Sequence, residues 1–118
     1  MIELQLPYPP SVNHYYRRVG PRVLISQEGR VYRNRVAGII LSLDMEIMTG
    51  RLACHVTVFP PDRRRRDLDN VLKSTLDALE KAGVYKDDSQ IDDLRVTRGE
   101  VCRPDGYIVV ALKEILEV

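Results

Sequence analysis

The chain has 118 residues, 44% hydrophobic and 30% charged, enough for one core and too short for two domains. No apolar stretch approaches the ~20 residues that cross a bilayer, and MIELQLPYPP lacks the basic leader and apolar run of a secretory signal, so a membrane span is excluded and a cytoplasmic protein is expected. The net charge of +1 hides an uneven spread: residues 1 to 66 hold eleven Lys/Arg and five Asp/Glu, residues 67 to 118 seven and twelve, and fourteen of the basic residues are arginine, whose planar fork suits phosphate oxygens.

Residues 2 to 6, IELQL, put Ile2, Leu4 and Leu6 on one face of a half-buried strand, ended by Pro7, Pro9 and Pro10. The stretch SVNHYYRRVGPR that follows has no core periodicity and reads as an exposed functional loop, with Tyr15 and Tyr16 either stacking on bases or packing the loop itself. Val23 to Ile25 form a short strand, and Ser26 caps a helix with apolar positions Val36, Ile39, Ile40, Leu43 and Ile47, ending before Thr49-Gly50. RLACHVTVF, 51 to 59, is a strand with Leu52, Cys54, Val56 and Val58 on one face and His55 on the other. A second helix runs from about Asp67 to Ala82 and stops at Gly83. Its apolar side gathers Leu68, Val71, Leu72, Leu76, Leu79 and Ala82, and its polar side Asp69, Asn70, Lys73, Asp77 and Glu80. After the loop VYKDDSQ come strands around 92 to 98 and 107 to 113, joined as a hairpin by Pro104-Asp105-Gly106. Cys54 and Cys102 read as two buried thiols without metal-ligand spacing. The order β-loop-α-β-α-β-β gives an α+β, mixed α-β fold: one domain over residues 1–118, with a small mixed β-sheet of three to five strands and two helices packed on it.

The stretch DRRRRDLDN, 62 to 70, sets four arginines against Asp67, Asp69 and Asn70, and a second acidic pair, Asp87-Asp88, follows the helix by about five residues. Carboxylates of this kind suit Mg2+, whereas no Cys/His zinc pattern or calcium-binding EF-hand loop is present. A helix of ~16 residues is ~24 Å long, so the two acidic pairs converge only if loop 84 to 90 folds back along it. Each group also has a structural role open to it. Asp67 suits an N-cap, Asp69 a helix-dipole partner, Lys73 an i,i+4 pair with Asp69, and Asp87 and Asp88 a solvated loop. His14 and His55 stand alone.

Three blocks, LPYPPSVNHYYR, PDRRRRDLDNVLKSTLDAL and KAGVYKDDSQI, together resemble the RusA family of Holliday-junction resolvases, endodeoxyribonucleases often carried by phages and prophages. The resemblance covers nearly the whole chain. It implies a structure-selective, Mg2+-dependent crossover junction endodeoxyribonuclease, with Mn2+ as a substitute ion, that resolves four-way DNA junctions by paired symmetric nicks in recombination and repair. It also implies 5′-phosphate ends, a homodimer, no small-molecule cofactor and no membrane partner. Matched residue by residue, Asp67, Asp69 and Asp88 are the metal-binding and catalytic carboxylates and Lys73 the catalytic lysine, while Ser11, Asn13, His14, Arg63, Arg64, Arg65, Arg66 and Asn70 contact DNA. The chain departs from the family at Val12, where a second asparagine is common. Alternatives are a non-catalytic DNA-binding module and a metal-dependent nuclease acting on other branched DNA or on RNA.

Overall fold

A computed structural model describes residues 1–116. Its elements are β1 (Ile2–Pro7), α1 (Val12–Tyr15), β2 (Tyr16–Val19), β3 (Arg22–Ile25), α2 (Gln27–Leu43), β4 (Leu52–Phe59), α3 (Leu72–Lys81), β5 (Ile91–Arg98) and β6 (Tyr107–Glu114), with 3₁₀ turns at Leu68–Val71 and Asp88–Gln90. Four strands form a mixed sheet in the order β1-β6-β4-β5, and β2 pairs with β3 as a separate hairpin. The expected mixed α-β architecture is present, with one more short helix and one more strand than the sequence pattern gave. Among the described residues, no helix is long and apolar enough to cross a membrane.

Alternation fixes the face that each strand buries. Leu4, Leu6, Leu52, Cys54, Val56, Val58, Ile108, Val110 and Leu112 all belong to one buried core, shared with Val36 and Ile40 of α2 and Ala78 and Leu79 of α3. His55 lies on the opposite face, where its Nε2 is 2.8 Å from Thr97 Oγ1 across the strand pair. Both cysteines are free. Cys54 is buried as expected, but Cys102 is only half-buried, because it lies in the β5–β6 connection rather than in a strand.

The last two strands do not form the expected hairpin. β6 is antiparallel to both β1 and β4, whereas β5 runs parallel to β4 at the sheet edge. The residues explain this partition: the apolar β6 gains neighbours on both sides, while IDDLRVTR carries the charge that keeps an edge strand from pairing further. The turn residues instead return the chain to the end of β4, where Cys102 N–H donates to Pro60 O (2.8 Å) and Gly106 N–H to Cys102 O (2.8 Å). Gly106 has φ +68, and a Cβ there would stand 2.6 Å from Phe59 O. β4, α3 and β5 therefore form a parallel crossover unit.

Helix α2 starts as expected, with Ser26 Oγ accepting from Gly29 N–H at 2.9 Å. It ends a turn early, at Asp44 in the left-handed region (φ 49), which leaves Ile47 outside the helix and 43% exposed, while Leu43, its last residue, is 53% exposed. The buried stripe is Gly29, Tyr32, Val36 and Ile40. Gly29 permits the close approach of the segment before β2, since a Cβ there would lie 2.4 Å from Tyr15 O.

Candidate active site

Residues 11 to 19 are folded rather than looped: Ser11 precedes α1, and the chain turns directly into β2. Of the two readings open for the tyrosine pair, packing holds for Tyr15, which is fully buried. Tyr16 is half-buried and meets the Tyr15 ring edge-on at 4.9 Å. Two bonds fasten this segment to α3. Ser74 Oγ donates to Pro10 O at 2.8 Å, and the Tyr15 hydroxyl donates to Asp77 Oδ2. Ser11 Oγ and His14 Nδ1 share a hydrogen bond of 3.0 Å.

Fixed in this way, Ser11 and His14 line a cleft of about 290 Å³ together with Arg64, Arg65, Arg66, Asp67 and Asn70, with Tyr8 and Val71 completing it. Two stretches remote in sequence, residues 8–14 and 64–71, thus meet around one space. Asn13 and Arg63 are exposed and lie outside its lining.

The four arginines differ in their surroundings. Arg66 makes a two-pronged contact with Asp62, Nη1 to Oδ1 at 2.6 Å and Nη2 to Oδ2 at 3.2 Å, a planar fork that orients both groups. Its guanidinium carbon is 5.9 Å from the Tyr8 ring centroid, and Arg98 Nη2 donates to its carbonyl oxygen at 2.6 Å. The Arg66 side chain first, and the Arg64 backbone N–H second, hold the Asp62 carboxyl down at about 2. Arg64 is 83% exposed and reaches Asp62 only at 3.9 Å. Arg63 and Arg65 have no side-chain partner among the described residues.

The expected helix start at Asp67 is replaced by the 3₁₀ turn Leu68–Val71, and α3 begins at Leu72. Asp67 is extended (φ −83, ψ 140) and makes no side-chain capping bond. The i,i+4 pair of Lys73 with Asp69 is also absent, because a 3₁₀ turn of three residues per turn takes Asp69 off the α-helical face that Lys73 occupies. Asp67, Asp69 and Lys73 are exposed, with no side-chain hydrogen bond or ion pair among the described residues.

Loop 84 to 90 folds back on the end of α3. Glu80 Oε1 accepts from Asp88 N–H at 2.9 Å, and oxygens of Glu80, Asp87 and Asp88 lie within 4.8 Å of one another. Asp67, Asp69 and Asp88 form no such group among the described residues. The eleven positions from Asp69 to Glu80 correspond to about 17 Å of helical rise. The loop is clamped by Gln90, which is 8% exposed. Its Oε1 accepts from Lys86 N–H (2.8 Å) and Asp87 N–H (3.1 Å), and its Nε2 donates to Met48 O (3.0 Å) and Gly50 O (2.9 Å). Arg51 adds a bond from Nη2 to Ser89 O at 2.6 Å. The Asp87 carboxyl is lowered, chiefly by the backbone N–H of Ser89.

Sequence reasoning left Glu80 and Gln90 without a role. Glu80 carried a signal, seven residues after Lys73 and so two helical turns along the same face. Gln90 carried none, being a polar residue in a polar loop.

Fold and site define a small α+β protein whose cleft gathers three arginines and the carboxylate of Asp67. The model of one family, Endodeoxyribonuclease RusA, matches residues 7–112, and the chain belongs to that family. It is 48% identical over 114 residues to the crossover junction endodeoxyribonuclease of Enterobacteria phage HK97, covering 96% of this chain and 94% of that protein. Similar relatives are the RusA protein of Escherichia coli (strain K12), 45% identical over 117 residues, and that of Enterobacteria phage 82, 46% identical over 117 residues. In both, the match covers 95% of this chain and 93% of the relative.

Proposed function

We propose that residues 1–118 form a single RusA-like domain acting as a structure-selective crossover junction endodeoxyribonuclease, which hydrolyses DNA phosphodiesters with Mg2+ and resolves four-way junctions in recombination and repair. The observation that carries this reading is the cleft itself. Arg65 and Asp67, both without a side-chain partner among the described residues, line it together, which suits a polyanion held beside a cation and has no use in a capped surface helix.

The donor set fits a hard divalent ion. Asp67 and Asp69 offer carboxylates free of hydrogen bonds among the described residues, and the group around Asp88 supplies only oxygen. Mg2+, or Mn2+ in its place, supplies charge neutralisation at the scissile phosphate and a more acidic attacking water. Because Asp67, Asp69 and Asp88 do not gather within one chain, we place the ion between the protomers of a homodimer, held by Asp67 and Asp69 of one and Asp88 of the partner subunit. Two such sites related by a twofold axis match two symmetric nicks.

The remaining roles belong to the cleft and to the exposed residues Asn13, Arg63 and Lys73 outside its lining. Arg63, Arg64 and Arg65 grip phosphates flanking the cut, with Arg66 held by Asp62 at its edge. Ser11, Asn13, His14 and Asn70 also contact the strand. Lys73 gives its Nζ proton to the leaving 3′ oxygen, so the products end in 5′ phosphate and 3′ hydroxyl. The reaction needs no organic cofactor or membrane and takes place with the DNA in the cytoplasm.

A synthetic four-way junction incubated with and without Mg2+ tests the reading. Paired nicks at symmetric positions, seen only with the ion, are expected, and linear duplex cut as fast as the junction would sink the claim of structure selectivity. Electrostatics give a second expectation. Arg64→Ala and Arg65→Ala should each flatten the log–log salt dependence of junction binding by about 0.9, measured by titration at four or five salt concentrations.

A further inference from the structure

We propose that Arg33, aligned by Tyr15, is a positioning residue that takes up the charge of Asp77 and so leaves the ammonium of Lys73 uncommitted. The inference rests on the catalytic reading of Lys73 and deepens it.

Unlike Asp69, Asp77 lies with Lys73 in the regular part of α3, one turn further on, so the two share a helical face. Asp77 is also the more sheltered carboxylate, with 16% of its side chain exposed, and a carboxylate so placed needs a partner. Along its own helix, two cations stand one turn away, Lys73 before it and Lys81 after it. The fold supplies another from α2: Arg33 Nε donates to Asp77 Oδ2 at 2.8 Å, and Arg33 Nη2 lies 2.7 Å from the same oxygen. Tyr15 of α1 completes the arrangement. Its hydroxyl donates to Asp77 Oδ2 and accepts from Arg33 Nε at 2.9 Å, while the guanidinium stands 5.7 Å from its ring centroid. Burial first, and Asp77 second, push the Tyr15 hydroxyl well above its ordinary value, so it remains a donor. Lys73 makes no hydrogen bond or ion pair among the described residues, although an acid stands on its own face one turn away. The trio does more than join three helices: it disarms the one acid of α3 best placed to capture the lysine.

The test replaces the fork and then the acid. In Arg33→Met, kcat for junction cleavage should fall about threefold at unchanged KM, the scale of one helical ion pair. Labelling of Lys73 by an amine-selective acetylating reagent, read on its peptide by mass spectrometry, should fall by the same factor. Adding Asp77→Asn should restore both readouts, whereas a merely structural role for Arg33 makes the double variant no better than the single one. Labelling of Lys73 unchanged by Arg33→Met, or a double variant that fails to recover it, would overturn the proposal. Labelling that falls and recovers while cleavage stays constant would uphold the shielding of Lys73 and overturn its catalytic role. Arg33→Lys keeps the charge but lacks the planar fork whose Nε and Nη2 meet Tyr15 and Asp77 in fixed geometry. If Arg33→Met does not fold, the lysine variant must show the same loss and recovery at smaller amplitude, and its failure to do so counts equally against the proposal.

Discussion

Asp69→Asn and Asp88→Asn proteins, each unable to cut a junction alone, should regain nicking when mixed and allowed to exchange subunits. On the proposed reading each substitution removes an oxygen ligand and should lower cleavage more than about 100-fold, beyond the loss expected from changing groups behind the ligands. Junction binding should survive, because neither change removes a cation. The recovery follows from sharing the site between protomers: in the mixed dimer one site has lost both acids and the other is intact. Random exchange makes half the dimers mixed, with one working site of two, so about a quarter of the wild-type sites return. The products should be singly nicked, because the second strand lacks a site. Mixing Asp67→Asn with Asp69→Asn should restore nothing, since both acids come from the same side. Burst amplitudes on a junction labelled on each strand distinguish these outcomes. Recovery in neither mixture would place all three aspartates of a site in one subunit.

The second large effect is expected at Gln90. Gln90→Leu keeps the volume of the side chain but strands two backbone carbonyls, at Met48 and Gly50, and two N–H groups, at Lys86 and Asp87. Each group left without a partner costs about 1–3 kcal/mol, and local opening of the loop to water limits the sum, so a loss of about 3 kcal/mol is expected in urea denaturation. Because this loop carries Asp88, hydrogen exchange should speed up over residues 86 to 90 before the strands are affected. The Mg2+ concentration needed for half-maximal cleavage should also rise more than KM for the junction. Exchange that speeds up equally across β4 and β6 would show that Gln90 supports the whole core rather than the acidic corner.

What the sequence made legible was local. Period-two burial in β1, β4 and β6 follows from backbone geometry within each strand, so Leu4, Val56 and Val110 were identifiable without knowing their neighbours. DRRRRDLDN was legible for the same reason, since its arginines and acids are chain neighbours before any folding occurs. Strand pairing was not. Pro104-Asp105-Gly106 is sound turn chemistry, but whether a turn joins adjacent strands depends on which edge is already occupied, and β6 fills the gap between β1 and β4. The 3₁₀ turn before α3 escaped notice because Leu68 and Val71 suit either helical period. The contacts of Gln90 and the Arg33–Tyr15–Asp77 trio lay furthest out of reach, joining residues more than 40 positions apart in Gln90–Met48 and 62 apart in Tyr15–Asp77.

The parallel crossover β4-α3-β5 has a consequence for how such an enzyme is controlled. A crossover helix leaves one end of a strand pair and delivers the chain to the other end, so groups flanking α3 start life on opposite margins of the sheet. On the proposed reading, the lone chain is a complete fold but an incomplete catalyst, and it becomes a nuclease only by meeting its like. Cutting activity then scales steeply with the number of copies present, and dilution alone silences it. A cell holding a few stray chains therefore keeps its chromosome intact, without an inhibitor, until expression or a junction gathers them in pairs.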